Sequence, residues 1–243
     1  MAMKDLSVVL THGAWAEGSS WAGVIAALKK ESVEVSAAPL PLTSLADDVA
    51  ALNRRLERTE GPIVLAGHAY AGAVIALANP ERVRALVYVT ALAPDEGEKV
   101  ADVFYRLEPH PQAPKLAPDG NGLIWLPEGA FATAFAQNAS ADQRAVLAAV
   151  QRPISINCIT VPAGRPLWRD VSKLVSDCRR RPNDRSADAT LHGRAHEGED
   201  KGAGGRSHTQ CHSSISRRGH YPGCNPLRNR QLRLQRESVS WRL

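Results

Sequence analysis

The chain predicts an α/β domain on a doubly wound, mostly parallel sheet, and three observations carry the prediction. Short apolar runs, Ser7-Val8-Val9-Leu10, Ile63-Val64-Leu65-Ala66 and Leu86-Val87-Tyr88-Val89, read as strands buried on both faces. Amphipathic stretches of helical period alternate with them, as an α/β domain requires. A tight turn rich in small residues, Gly67-His68-Ala69-Tyr70-Ala71-Gly72, joins the second run to a small apolar stretch that reads as a buried helix. At 243 residues the chain has the length of one such domain.

The first strand runs into Thr11-His12-Gly13-Ala14-Trp15 and then into a helix over residues 21–30, for which Ser19 or Ser20 is the expected N-cap. Residues 44–59 set Leu45, Val49, Leu52 and Leu56 at helical spacing with charged residues between, so this helix packs one face on the sheet. Gly61-Pro62 bounds the next strand, and the helix after the turn is expected from Ala71 to Asn79, closing at Asn79-Pro80. Residues 86–91 form a further strand. Residues 98–165 then depart from the alternation, with a Pro-rich stretch over 109–118 and two expected helices around 131–137 and 140–151. Trp125, Phe131 and Phe135 are candidates to line a pocket there, although core packing is the commoner fate of such residues.

The tight turn has the form of a nucleophile elbow, G-x-S-x-G, which needs small residues two places either side of a strained central serine. Gly67 and Ala71 satisfy the size rule, but the central position is Ala69, which carries no nucleophilic atom. In acyl-transfer enzymes a loop after an early strand gives one backbone N–H to the oxyanion, and the residue after the nucleophile gives the other. On that basis the two donors are Ala14 and Tyr70. The plainer alternative, that His12-Gly13 only turns the chain at a strand end, stays open at this point.

Four stretches in order carry a specific resemblance: Val8-Val9-Leu10-Thr11-His12-Gly13-Ala14-Trp15, Pro39-Leu40-Pro41-Leu42-Thr43-Ser44-Leu45-Ala46-Asp47-Asp48-Val49, the elbow, and Leu86-Val87-Tyr88-Val89-Thr90-Ala91. Together they resemble the α/β-hydrolase superfamily, in its bacterial esterase branch near plant methyl-esterases and hydroxynitrile lyases. The resemblance ends at about residue 168. It implies a core over residues 1–168 with a small helical cap inserted at about 98–165, a small-molecule ester or acid as ligand, and no cofactor or metal. In that family a serine attacks the ester carbonyl, a histidine takes its proton and an aspartate orients the histidine. The copy here is expected to be inactive, because Ala69 fills the nucleophile position. His68 is implied to be a packing and orientation residue, and the apolar setting of Cys158 points to an inert core thiol rather than a substitute nucleophile.

Composition shifts near Trp168. Up to that residue 14 Lys and Arg face 17 Asp and Glu, whereas residues 169–243 hold 16 against 8, so the net charge of +5 comes from the C-terminal part. That part carries five of the eight histidines and three of the four cysteines, but only 12 large apolar or aromatic residues, too few to bury a core of its own. A nucleic-acid arm through Arg179-Arg180-Arg181 and Arg217-Arg218 lacks interleaved aromatics. A metal site at His192 and His196, or His208 and His212, lacks a C-x-x-C pair among Cys178, Cys211 and Cys224.

The preferred explanation is translation out of frame between Trp168 and Ser172, which leaves the last strands of the sheet, the acid and the histidine missing. Codons for residues 172–177 read one base later permit Pro-Ser-Trp-Tyr-Leu-Ile, a strand, and those for residues 205–209 permit Val-Asp-His-Thr-Pro, similar to the family's histidine stretch. A base at His208, as written, has no strand to fix it. A poorly soluble or molten product is expected, because the sheet edge would be exposed.

No signal peptide or 18-residue apolar span is visible, so a cytoplasmic location is expected. Dinucleotide, P-loop and H-E-x-x-H motifs are absent from the sequence.

Overall fold

Apolar strand runs separated by helices produce one sheet of five parallel strands. The computed structural model describes residues 6–106 and 113–176. In chain order the elements are β1 (Ser7–Thr11), α1 (Ala22–Lys30), β2 (Glu34–Ala38), α2 (Leu45–Glu57), β3 (Ile63–Ala69), α3 (Ala71–Ala76), β4 (Val83–Ala91), α4 (Val100–Phe104), β5 (Leu123–Ile124), α5 (Ala141–Ala149), β6 (Ile154–Ser155) and β7 (Ser172–Ser176). β1 pairs with β2 on one side and β3 on the other. The order in the sheet is β2-β1-β3-β4-β7, so it reverses between β2 and β3. Such a reversal opens a crevice beyond the carboxyl ends of the strands, where open α/β sheets bind ligands. Thr11 and Ala69 end the two strands that flank it.

The core forms where strand and helix faces meet. Val9, Leu65 and Leu86 are fully buried and pack with Leu52 and Leu56 of α2 and Val74 and Ile75 of α3. α2 starts where the Ser44 hydroxyl accepts the Asp47 N–H at 3.0 Å, satisfying an otherwise unpaired donor of the first turn. It buries Leu45, Ala51, Leu52 and Leu56, as the spacing predicts, with Val49 partly buried beside them.

Three departures from the sequence expectation have a visible physical cause. Neither Ser19 nor Ser20 caps α1: their hydroxyls donate to Glu17, and a 3-10 turn over Gly18–Trp21 precedes the helix. α3 ends at Ala76 rather than Asn79. Asn79 is drawn toward α2, its N–H donating to Asn53 Oδ1 at 2.8 Å, and the residue before a proline is disfavoured in helix. The third difference is β7. No strand was expected after Trp168 as the sequence is written, yet Ser172–Ser176 pairs in parallel with β4, from Ala85 opposite Ser172 to Val89 opposite Ser176. Backbone pairing makes this strand despite its polar residues, since only Leu174 and Val175 are large and apolar and both are exposed.

Between β4 and β7 the chain leaves the sheet. Here lie α4, the two-stranded β5–β6 ladder, a single π-helical turn (Phe131–Phe135) and α5, whose Ser140 and Gln143 form a capping box. Phe131 is buried with Leu126 and Ala130, whereas Trp125 is exposed and donates its indole N–H to Asp119. Of the three aromatic residues suggested for a pocket, Phe131 thus packs as core and Phe135 lies edge-on to both Phe131 and Trp15.

Candidate active site

At the end of β3 the chain must turn from strand to helix within two residues. Ala69 takes a left-handed φ of 50° there, a conformation that costs a residue with a side chain about 1 kcal/mol or more. Tyr70 is already helical and α3 follows at once. The turn closes only because its neighbours are small. A Cβ at Gly67 would lie 2.8 Å from the Ala71 carbonyl oxygen, and one at Gly72 would lie 2.4 Å from that of Leu92. The Ala69 carbonyl accepts the Leu92 N–H at 2.9 Å, which ties the turn to the end of β4.

The loop after β1 lies directly on this turn. A methyl group at Gly13 would sit 3.0 Å from the Ala69 Cβ and 3.1 Å from the His68 carbonyl oxygen, tight enough that the loop or the turn would have to give by a few tenths of an ångström. His12 holds the loop. Its Nδ1 is 3.0 Å from the Gly13 carbonyl oxygen and its Nε2 accepts the Leu40 N–H at 3.1 Å. These partners assign the proton to Nδ1. Burial keeps His12 below the ordinary imidazole range, and His68 is also held low, by burial first and by His12 second. His68 is partly buried and lies edge-on to Trp21, with ring centroids 6.3 Å apart. Trp15, at φ 59°, links the same loop to the segment between β4 and β7 through its backbone N–H to Arg152 and its indole N–H to Ile124.

Behind the turn lies a buried polar cluster that was not singled out from the sequence. Asp48 of α2 is fully buried, and its carboxylate accepts the Leu42 N–H at 2.7 Å, the Tyr70 hydroxyl at 2.6 Å and the Cys158 thiol at 3.6 Å. Burial raises the Asp48 carboxyl above its usual range, opposed by those three hydrogen bonds. The Tyr70 phenol is also raised, by burial first, so its proton stays on the phenol. Burial and the neighbouring Asp48 push the Cys158 thiol up to about 12, which makes it a poor thiolate. A signal for Asp48 was present, since it stands between Leu45 and Leu52 on the apolar stripe of α2, where an unpaired carboxylate would be costly.

The structure thus brings Ala69, Tyr70 and the Gly13-Ala14 loop together at the carboxyl ends of β1 and β3. Among the described residues no backbone carbonyl takes the N–H of Ala14 or Tyr70 in a loop or turn hydrogen bond. A shallow cavity lined by Leu56, Ile63, Asn79, Arg82 and Val83 lies at the opposite, amino-terminal ends of the strands and has no part in this site. No group of three or more His, Cys, Asp or Glu among the described residues is placed to hold a metal ion. His192, His196, His208, His212, the three C-terminal cysteines and the arginine runs lie outside the described residues.

Residues 8–222 match the Alpha/beta hydrolase family. The chain belongs to that family. Its match runs past Trp168, where the resemblance read from the sequence stops. No curated protein matches the chain by sequence. Solved structures similar to this α/β hydrolase include an extracellular alpha/beta-hydrolase from a Paenibacillus species, described as sharing structural and functional homology with tobacco salicylic acid binding protein 2. It is 21% identical over 70% of this chain and 76% of that chain, with a TM-score of 0.55. Polyneuridine aldehyde esterase is 18% identical over 70% of this chain and 78% of its own, with a TM-score of 0.58. Tomato methylketone synthase I, in complex with 2-tridecanone, is 16% identical over 70% of this chain and 78% of its own, with a TM-score of 0.53. At these identities the likeness is one of fold. Among the described residues no helix is long and apolar enough to cross a membrane.

Proposed function

We propose that this α/β hydrolase is an inactive relative of the carboxylic-ester hydrolases that keeps the acyl-oxygen site and lacks the nucleophile. One observation carries the proposal: Ala69 occupies the strained position of a fully built strand-turn-helix elbow, with the Gly13 loop packed on it. The N–H groups of Ala14 and Tyr70 receive the carbonyl oxygen of a small ester or acid, and the segment over about residues 98–165 walls the remainder of the ligand. A methyl group at position 69 cannot attack the carbonyl, and loss of the nucleophile lowers the turnover of a serine hydrolase by about 10⁶-fold. Orientation and oxygen binding persist without it.

The acid and histidine belong to this proposal too. The C-terminal part from about Arg169 is read out of frame, and the one-base-later frame of the coding DNA is expected to encode a strand ending in an acid and a later histidine. As written, Ser172–Ser176 still adds a fifth strand beside β4, so the change of frame costs the catalytic groups and leaves β7 as the exposed edge of the sheet. The test is hydrolysis of p-nitrophenyl acetate by the full chain and by its Ala69→Ser variant. Neither is expected to exceed the slow residual rate that the oxygen donors and binding supply on their own. Turnover above that level by the parent overturns the proposed inactivity, and such turnover by Ala69→Ser alone shows that an acid and a histidine are present after all.

A further inference from the structure

The two N–H groups assigned above to the acyl oxygen sit on different elements, yet both are braced against one short piece of chain, residues 39–42. At one end Leu40 donates its N–H to His12, which leads directly into the Gly13-Ala14 loop. At the other end Leu42, held in a left-handed conformation at φ 61°, donates its N–H to Asp48. The second oxygen of the same carboxylate takes the Tyr70 phenol. The phenol belongs to the residue whose backbone N–H completes the site, so its anchorage sets where that N–H points.

We propose that Asp48 is a positioning residue for the acyl-oxygen site: through the Tyr70 phenol and the Leu42 N–H it fixes the spacing between the Tyr70 and Ala14 donors. Two further bonds extend the brace to the segment between β4 and β7. The Cys158 thiol donates to the same Asp48 oxygen as Tyr70, and the Ser155 N–H donates to the Leu42 carbonyl at 2.9 Å. Every donor on Asp48 is neutral, and the carboxylate is fully buried on α2. The carboxylate ties three separate segments of the chain at one point, and that gives it a role in fixing geometry.

This inference rests on the proposed acyl-oxygen site, and the experiment separates the two. In the full chain, Ala69→Cys installs a nucleophile that needs no catalytic base at pH 8.5. Its thiolate attacks the acetyl carbonyl of p-nitrophenyl acetate, a carbon–sulfur bond forms, and p-nitrophenolate leaves with the electron pair of the broken ester bond. The same thiolate displaces iodide from iodoacetamide without forming an oxyanion. Both rates are followed at position 69 by peptide mass spectrometry, which separates this thiol from the natural cysteines.

The ratio of acylation to alkylation in Ala69→Cys is expected to exceed that of N-acetylcysteine by about tenfold or more, since one oxyanion donor is worth about 10²-fold in a mature enzyme. An unchanged ratio overturns the acyl-oxygen site itself. Adding Asp48→Asn is expected to bring the ratio down by about tenfold while alkylation holds its rate, because a small misplacement of donors penalises only the reaction that develops an oxyanion. A raised ratio that survives Asp48→Asn overturns the role of Asp48 alone, as does an equal fall in both rates. If Asp48→Asn fails to fold, Tyr70→Phe cuts the phenol bond and leaves Asp48 its Leu42 partner, and it must lower the ratio in the same way. An undiminished ratio there also overturns the role of Asp48.

Discussion

β3 and β7 flank the same strand, β4, and both pair with it in parallel, but they contribute in opposite ways. β3 buries Ile63 and Leu65 completely and ends in the elbow, whereas all five residues of β7 are exposed. A backbone ladder alone therefore makes a strand, while burial on both faces makes one able to hold a strained residue such as Ala69. The site stands on the part of the sheet where packing over-determines the backbone, which is the condition for strain to persist.

The contrast can be broken most severely at Gly72. Gly72→Val puts a branched side chain against the Leu92 carbonyl and the Ala91 methyl, so loss of the cooperative melt is expected by circular dichroism. Next in size, Leu65→Ala in β3 is expected to cost about 3 kcal/mol in a urea titration, and Leu174→Ala in β7 no more than about 0.5 kcal/mol. Equal losses would show that the two strands share the load.

The pH dependence sharpens the same contrast. His12 and His68, both beside the elbow, titrate below the ordinary imidazole value of 6.5 in the folded chain. Below that value the unfolded chain binds more protons than the folded one. Their contribution is therefore complete above 6.5 and is lost as the pH falls through the depressed values. The melting temperature is expected to fall on acidification, with a shallower slope in His12→Gln. A slope unaffected by that change would assign the loss to other groups. A small effect of the opposite sign belongs to Ala69→Gly, expected to gain about 0.5 kcal/mol by relieving the left-handed strain, read as a rise in the urea midpoint.

Much of this was legible in the sequence, because it is local. The small residues at Gly67, Ala71 and Gly72 announce a tight turn, the spacing of Leu45, Leu52 and Leu56 announces a helix on the sheet, and the stretch over 140–151 announces the helix that forms as α5. What escaped depends on contacts far apart in the chain. His12 meets Leu40 across 28 residues and Cys158 meets Asp48 across 110, and no periodicity encodes either pairing. β7 escaped for another reason: its two apolar residues, flanked by Ser172, Lys173 and Ser176, fall below any strand pattern until β4 offers an open edge.

The most direct test of an acyl-oxygen site without a nucleophile is a titration of the full, ¹⁵N-labelled chain with phenyl acetate, following the backbone amides of Ala14 and Tyr70 by NMR. Saturable shifts of these two resonances, with the ester intact at the end, are the expected result. Silent amides at saturating ester, or ester consumed during the titration, would contradict the account.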